Sequence, residues 1–141
     1  MNGKLVEQLT VRGITVYRFY NNSRDAVDSY LNTMAFPLLK EHVKNNLTNV
    51  PLCIVMDVSR TGMLPVSYML TRIRQNFSLY ETLPEYYIAF IIKNLDDELM
   101  VRMIEGMTVG SLAHTRRTYS AEAFDEAIDW LVTIQSKYRT E

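Results

Sequence analysis

Two short runs, Leu52–Val58 and Tyr86–Ile92, constrain this chain more than any other feature. Each is strand-sized and apolar at nearly every position, the first interrupted only by Asp57. Strict alternation would mean one wet face. A continuous run means that both faces are covered, as in the strands of a parallel sheet. Between them Val66, Met69, Leu70, Ile73 and Phe77 recur at helical spacing behind Pro65, a residue suited to a first helical turn. A helix joining two doubly buried strands is the crossover unit of an α/β sheet, and such crossovers are right-handed.

The same cycle extends in both directions. Upstream, Ala26, Val27, Tyr30, Leu31, Met34, Leu38 and Leu39 form a helical stripe, with Ser23 as its N-cap and Asp25 in its first turn. Pro37 is expected to kink or break that helix, and Asn45-Asn46 to end it. Before it, Lys4–Thr10 and Ile14–Tyr20 flank Val11-Arg12-Gly13, a pattern of β-branched and aromatic residues around a glycine that predicts a hairpin. Downstream, Asn94–Asp97 supply turn and cap residues for a stripe of Leu99, Met100, Met103, Ile104 and Met107, ended by Gly106 or Gly110. Thr115–Tyr119 alternates in polarity and is expected near a sheet edge. Ser120 is expected to cap a last helix with the stripe Phe124, Ala127, Ile128, Leu131 and Ile134. The chain of 141 residues therefore predicts one α/β domain over 1–141. An N-terminal β-hairpin precedes alternating α and β elements, in a mixed sheet of about five strands with about four helices.

Composition excludes several classes. Hydrophobic residues are 48% and charged residues 22%, too apolar for a disordered chain. Fifteen Lys+Arg against 16 Asp+Glu leave a net charge of −1, so no basic field holds a nucleic acid. No apolar stretch approaches the ~20 residues of a membrane span. Met1–Thr10 carries no apolar signal core, so a cytoplasmic location is expected. The single cysteine, Cys53, lies in an apolar run, where a buried and inert thiol is expected. His42 and His114 have no partner at ligand spacing, so neither a metal site nor a cofactor is expected.

Ligands of open α/β sheets bind beyond the C-terminal ends of the parallel strands. That rule points to Asp57–Gly62, Lys93–Asp97 and Tyr119-Ser120. The first is the most polar, and Asp57, Ser59, Arg60, Thr61 and Gly62 are candidate ligand or partner residues. The loop lacks the length and the lysine of a phosphate loop, and no dinucleotide fingerprint follows any strand. Its simpler reading is an aspartate shaping a turn. Ser67, one turn into the next helix, is a candidate modification site or a plain surface serine. His114-Thr115-Arg116-Arg117 is the densest basic patch, and with Ser111 it could bind a phosphate or a carboxylate. Alternation sends Arg116 and Arg117 to opposite faces, which leaves His114 and Arg116 as a secondary pair. His114 and Asp57 could meet across the sheet, yet no G-x-S-x-G elbow accompanies them, so no catalytic residue is assigned. The acids Asp96-Asp97 read as helix caps. Met100, Met103 and Met107, and the tyrosines Tyr17, Tyr20, Tyr80, Tyr86 and Tyr87, could line an apolar cleft or an interface.

The hairpin-then-alternating order, the strand Leu52-Cys53-Ile54-Val55-Met56-Asp57 ending in an acid, and the closing stretch Ser120-Ala121-Glu122-Ala123-Phe124-Asp125-Glu126-Ala127-Ile128-Asp129-Trp130-Leu131 resemble the small SpoIIAA-like, STAS-like bacterial proteins. The resemblance implies a non-catalytic domain. Members that antagonise anti-sigma factors bind a partner kinase through a phosphorylatable serine in an Asp-Ser-x-Gly type loop before a helix. Others resemble small modules for apolar ligands or lipids. Counted from Asp57, Ser67 falls near the expected serine, with Pro65 where the motif has aspartate and Tyr68 where it has glycine. That departure weighs against the kinase-partner switch.

The leading expectation is thus a regulatory or interaction module that binds a protein partner or a small apolar ligand. The alternative is an apolar-ligand or lipid carrier with a pocket between sheet and helices. A third reading, a small enzyme, requires Asp57, Ser59, Thr61 and His114 to converge. A hairpin edge strand also offers a homodimer contact.

Overall fold

The computed structural model describes residues 4–94, 101–102 and 114–138. The strands β1 (Val6–Val11) and β2 (Ile14–Phe19) form an antiparallel hairpin in the register Val6↔Phe19 to Val11↔Ile14. Its two-residue turn places Arg12 at φ 52° and Gly13 at φ 81°. Two successive positive φ values make a turn whose twist matches that of the strands. Gly13 adopts this conformation freely, whereas Arg12 carries some strain and reaches Asp129 of the last helix.

All later pairings are parallel. β3 (Leu52–Asp57), β4 (Tyr86–Ile92) and β5 (His114–Ser120) extend a five-stranded mixed sheet in the order β1-β2-β3-β4-β5. When parallel strands are laid down in sequence order, right-handed crossovers keep their helices on one face. That face carries α1 (Arg24–Tyr30), a π-helical turn (Leu31–Ala35), α2 (Phe36–Lys44) and α3 (Val66–Phe77). They pack on Tyr17, Phe19, Ile54, Met56, Phe90 and Ile92. The last helix, α4 (Phe124–Ser136), covers the opposite face. Its Ala127, Ile128, Leu131 and Ile134 meet Ile14, Val16, Cys53, Val55, Ala89 and Ile91. Every residue of β3 is buried, as its continuous apolar run predicts. Burial pushes the Cys53 thiol up to about 11.

Several local expectations need correction. The helix does not break at Pro37. It widens one turn earlier, at Leu31–Ala35, and α1, the π turn and α2 run on as one helical rod. Proline has no N–H to donate and its ring crowds the carbonyl four residues back. The wider turn, in which the Phe36 N–H bonds the Leu31 carbonyl, absorbs that crowding. Ser23 caps α1 as expected, its side chain accepting from the Ala26 N–H at 3.2 Å. Ser120 does not cap in that way: a short 3₁₀ segment, Ala121–Ala123, intervenes before α4, and the serine side chain makes no capping bond. Pro65 stands just outside α3, at its N-cap position, with extended ψ.

The described helices number three when the first rod is counted once. The helix expected over Leu99–Met107 lies outside the described residues apart from 101–102, which are helical. Asp96-Asp97, Ser111, Met100, Met103 and Met107 lie outside them too. β5 is an edge strand, as its alternation predicts, and β1 is the other edge. No described helix is long and apolar enough to cross a membrane.

Candidate functional site

Two concavities stand out, on different parts of the sheet. The first is an apolar pocket of about 80 Å³ between the sheet and the helices of the three-element face. Its floor is Ile54 and Met56 of β3 and Tyr86, Ile88 and Phe90 of β4. Its roof is Tyr30, the π-turn residues Leu31 and Ala35, and Phe36 and Leu39 of α2, with Met69, Leu70, Ile73 and Phe77 of α3 as the facing wall. The widened turn sits directly over this space. Arg116 of β5, in register with Ile88, is the one charged residue among the lining residues.

Polar groups close the pocket from outside. Asp28 of α1 accepts from the Tyr68 hydroxyl and from Arg72 Nη1, both at 2.6 Å, while Arg72 Nη2 donates to Asn32 Oδ1 of the π turn at 2.7 Å. The same guanidinium lies 5.7 Å from the ring centre of Phe36, a roof residue. This clasp joins α3 to the first rod. Tyr68 and Arg72 together hold the Asp28 carboxyl below the usual carboxylate range. Arg72→Ala should lower stability by about 1 kcal/mol, because two charge-assisted bonds at a half-exposed site are lost. Arg72→Lys should recover little of it, since a lysine cannot span both acceptors. Urea midpoints of the two variants check this, and a lysine variant equal to wild type would show that charge alone holds the clasp.

The second concavity lies at the carboxyl ends of β3 and β4, where Ser59, Arg60, Thr61 and Gly62 face Lys93 and Asn94 across a groove of about 520 Å³. Four of the sequence candidates therefore meet in one groove. Asp57 does not open into it as a free acid. It is only 5% exposed, the most buried charged side chain among the described residues. Its Oδ2 accepts from Arg18 Nε at 3.2 Å, and its Oδ1 accepts from the Ser59 N–H at 3.0 Å and the Ser59 hydroxyl at 2.6 Å. The turn continues with the Thr61 and Gly62 N–H groups bonding the Val58 carbonyl, and Gly62 takes a φ of +80° that a side chain would strain. Asn22 secures the loop by donating to the Thr61 carbonyl at 3.0 Å. Arg60 stacks 5.3 Å over the Tyr20 ring, and the Tyr20 hydroxyl bonds Glu7, holding that carboxyl low.

The remaining candidates are dispersed. Ser67 is exposed in the first turn of α3, outside the groove. His114 pairs with Tyr86, which pairs with Leu52, five residues before Asp57. At ~3.3 Å per residue the two lie roughly 16 Å apart along the strands, before the lateral spacing is added. Asp57, Ser59, Thr61 and His114 therefore cannot share one reacting centre. Arg116 and Arg117 do face opposite ways. Arg116 lines the pocket, and Arg117 stacks 4.6 Å over Trp130 of α4. No group of three metal-binding side chains occurs among the described residues.

Sequence reasoning misses the π turn, and it reaches Lys93 only as the start of the strand-end stretch Lys93–Asp97, without joining it to the Asp57–Gly62 loop. Leu31 belongs to an ordinary helical stripe, Ala35 and Phe36 fall outside that stripe, and the one signal that something unusual lies there is Pro37. In comparisons with known proteins, no family model, no curated protein and no solved structure matches the chain.

Proposed function

We propose that this chain is a non-catalytic, STAS-like regulatory module whose pocket takes a small, largely apolar molecule. The observation that carries the reading is the pocket itself: a space of about 80 Å³, almost wholly apolar, under a helix widened by a π turn. Close-packed interiors leave few such spaces, and π turns recur at functional sites. The STAS-like part rests on the element order and on the apolar strand that ends in Asp57. The non-catalytic part is supported by Asp57, whose two oxygens are already engaged by Arg18 and Ser59.

The test is a titration of the full chain with methylenecyclopentane, an apolar probe of about the right size, followed through the methionine methyl signals. Met56 and Met69 line the pocket and should shift saturably while methionines elsewhere stay put. Unmoved Met56 and Met69 signals at saturating probe would refute the reading.

A second reading is favoured by the groove, where Arg60 and Lys93 face each other across Ser59 and Thr61. Two exposed cations at the carboxyl edge suit docking of an acidic segment of a protein partner. A short polyglutamate peptide should then perturb the Arg60 and Lys93 side-chain signals at low salt. The same signals unchanged would dismiss this surface.

A further inference from the structure

The pocket is not uniformly apolar: Arg116 of β5 lines it on one side, and buried phenols gather on the side nearest β2. Tyr17 of β2 is fully buried, and its hydroxyl has no hydrogen-bond partner among the described residues. Its ring packs edge-on against Tyr30, with centroids 4.8 Å apart. Tyr30 lines the pocket and is itself buried, its hydroxyl facing only the Met56 sulfur at 4.0 Å, a weak acceptor. Tyr17 itself stands just behind the lining, in register with Met56, and Tyr86, which like Tyr30 lines the pocket, lies within electrostatic reach of both. Burial pushes all three phenols up, that of Tyr17 to about 12, so each keeps its proton and is available to donate. Buried hydroxyls are nearly always satisfied, so donors gathered without a strong acceptor ask for one.

We infer that the occupant of the pocket is a small neutral molecule with an apolar body and a single hydrogen-bond-accepting oxygen, held by the hydroxyls of Tyr17 and Tyr30. The inference rests on the pocket reading above and adds the chemical class. The body lies among Met56, Met69 and Ile73, and the oxygen points toward β2. A carbonyl or ether oxygen fits, because it accepts two hydrogen bonds and needs to donate none. An anion fits less well at this end. Its burial among apolar side chains is costly, and Arg116 lies three strands away, on β5.

Cyclopentanone and methylenecyclopentane share one shape and differ in oxygen against methylene. Both are titrated into the full chain and into the Tyr17→Phe/Tyr30→Phe double variant. The ketone should lose about tenfold in affinity on substitution, the worth of roughly one good hydrogen bond, while the hydrocarbon stays within about twofold. Unchanged hydrocarbon binding also shows that the double variant is folded. Equal effects on both probes, or none on the ketone, would overturn the assigned class and leave the pocket reading standing. Failure of both probes on the wild-type chain would overturn the pocket reading and this inference together. Cyclobutanecarboxylate serves as the charged control, and tighter binding of it than of the ketone would replace the neutral occupant by an anion.

Discussion

Replacing Asp57 by alanine is expected to destabilise the protein by about 3 kcal/mol, a fall in melting temperature of roughly 10 °C for a chain of this size. Asp57 and Arg18 are cross-strand partners in the β2–β3 register, so their pairing follows from the strand alignment itself. Glu7 lies opposite Arg18 on the other side, which makes an acid–base–acid row across three strands. Removing the β3 acid leaves Arg18, 26% exposed, beside a buried site, with only Glu7 on the edge strand to offset its charge. It also frees the Ser59 N–H and hydroxyl, so the turn loses its anchor. The estimate stays at the lower end for breaking a buried pair because Arg18 keeps some contact with water. Asp57→Asn preserves the shape and one acceptor and should cost less, about 2 kcal/mol. The double variant Arg18→Met/Asp57→Leu should recover part of the loss, since an apolar pair leaves no stranded charge. Urea denaturation of the four proteins checks the series. A loss below 1 kcal/mol for Asp57→Ala would mean that the acid serves something other than the fold.

Ala35→Leu is expected to act in the opposite direction. The pocket forfeits contacts that a filled core would make. At ~24 cal/mol per Å³ a space of about 80 Å³ corresponds to about 2 kcal/mol. Ala35 lines that space from the π turn, and leucine adds three carbons with little helical penalty. The variant should gain about 1 kcal/mol in stability, after some loss to imperfect fit, and should no longer bind methylenecyclopentane. A thermal melt and the methionine-methyl titration read the two effects separately. Higher stability with binding retained would show that the added side chain fills a different space, and lower stability would show that the roof cannot accept the volume. A stability gain coupled to loss of binding is what distinguishes a site kept open from a packing defect.

Much of the architecture was legible before any coordinates. Leu52–Val58 could only be a doubly covered strand, and with Tyr86–Ile92 it dictated the parallel order and the helices between. The sites were less legible for a physical reason. A pocket wall and a packed core use the same residues: Met69, Ile73 and Tyr86 would appear at the same helical or strand positions in either case. What separates them is whether facing elements close the last few ångströms, and that depends on the backbone widening at Leu31–Ala35. Asp57 was legible as a feature but ambiguous in role. Its neutralising partner lies 39 positions away, at Arg18, and only strand register joins them. The convergence of Asp57 with His114 failed because register also fixed them at opposite ends of their strands.

The π turn has a consequence for how this chain can vary over evolutionary time. A turn closed by five residues instead of four holds one residue more than the helix requires, so Leu39 faces the sheet in the phase that α1 established. One position among Leu31–Ala35 is therefore a tolerated insertion, and its deletion would restore an unbroken α-helix without rotating α2. An unbroken helix, however, has no room for the ring of Pro37 against the carbonyl four residues before it. The extra residue and the proline thus form a linked pair, gained or lost together, and a variant of this segment that is shorter by one should be found without its proline.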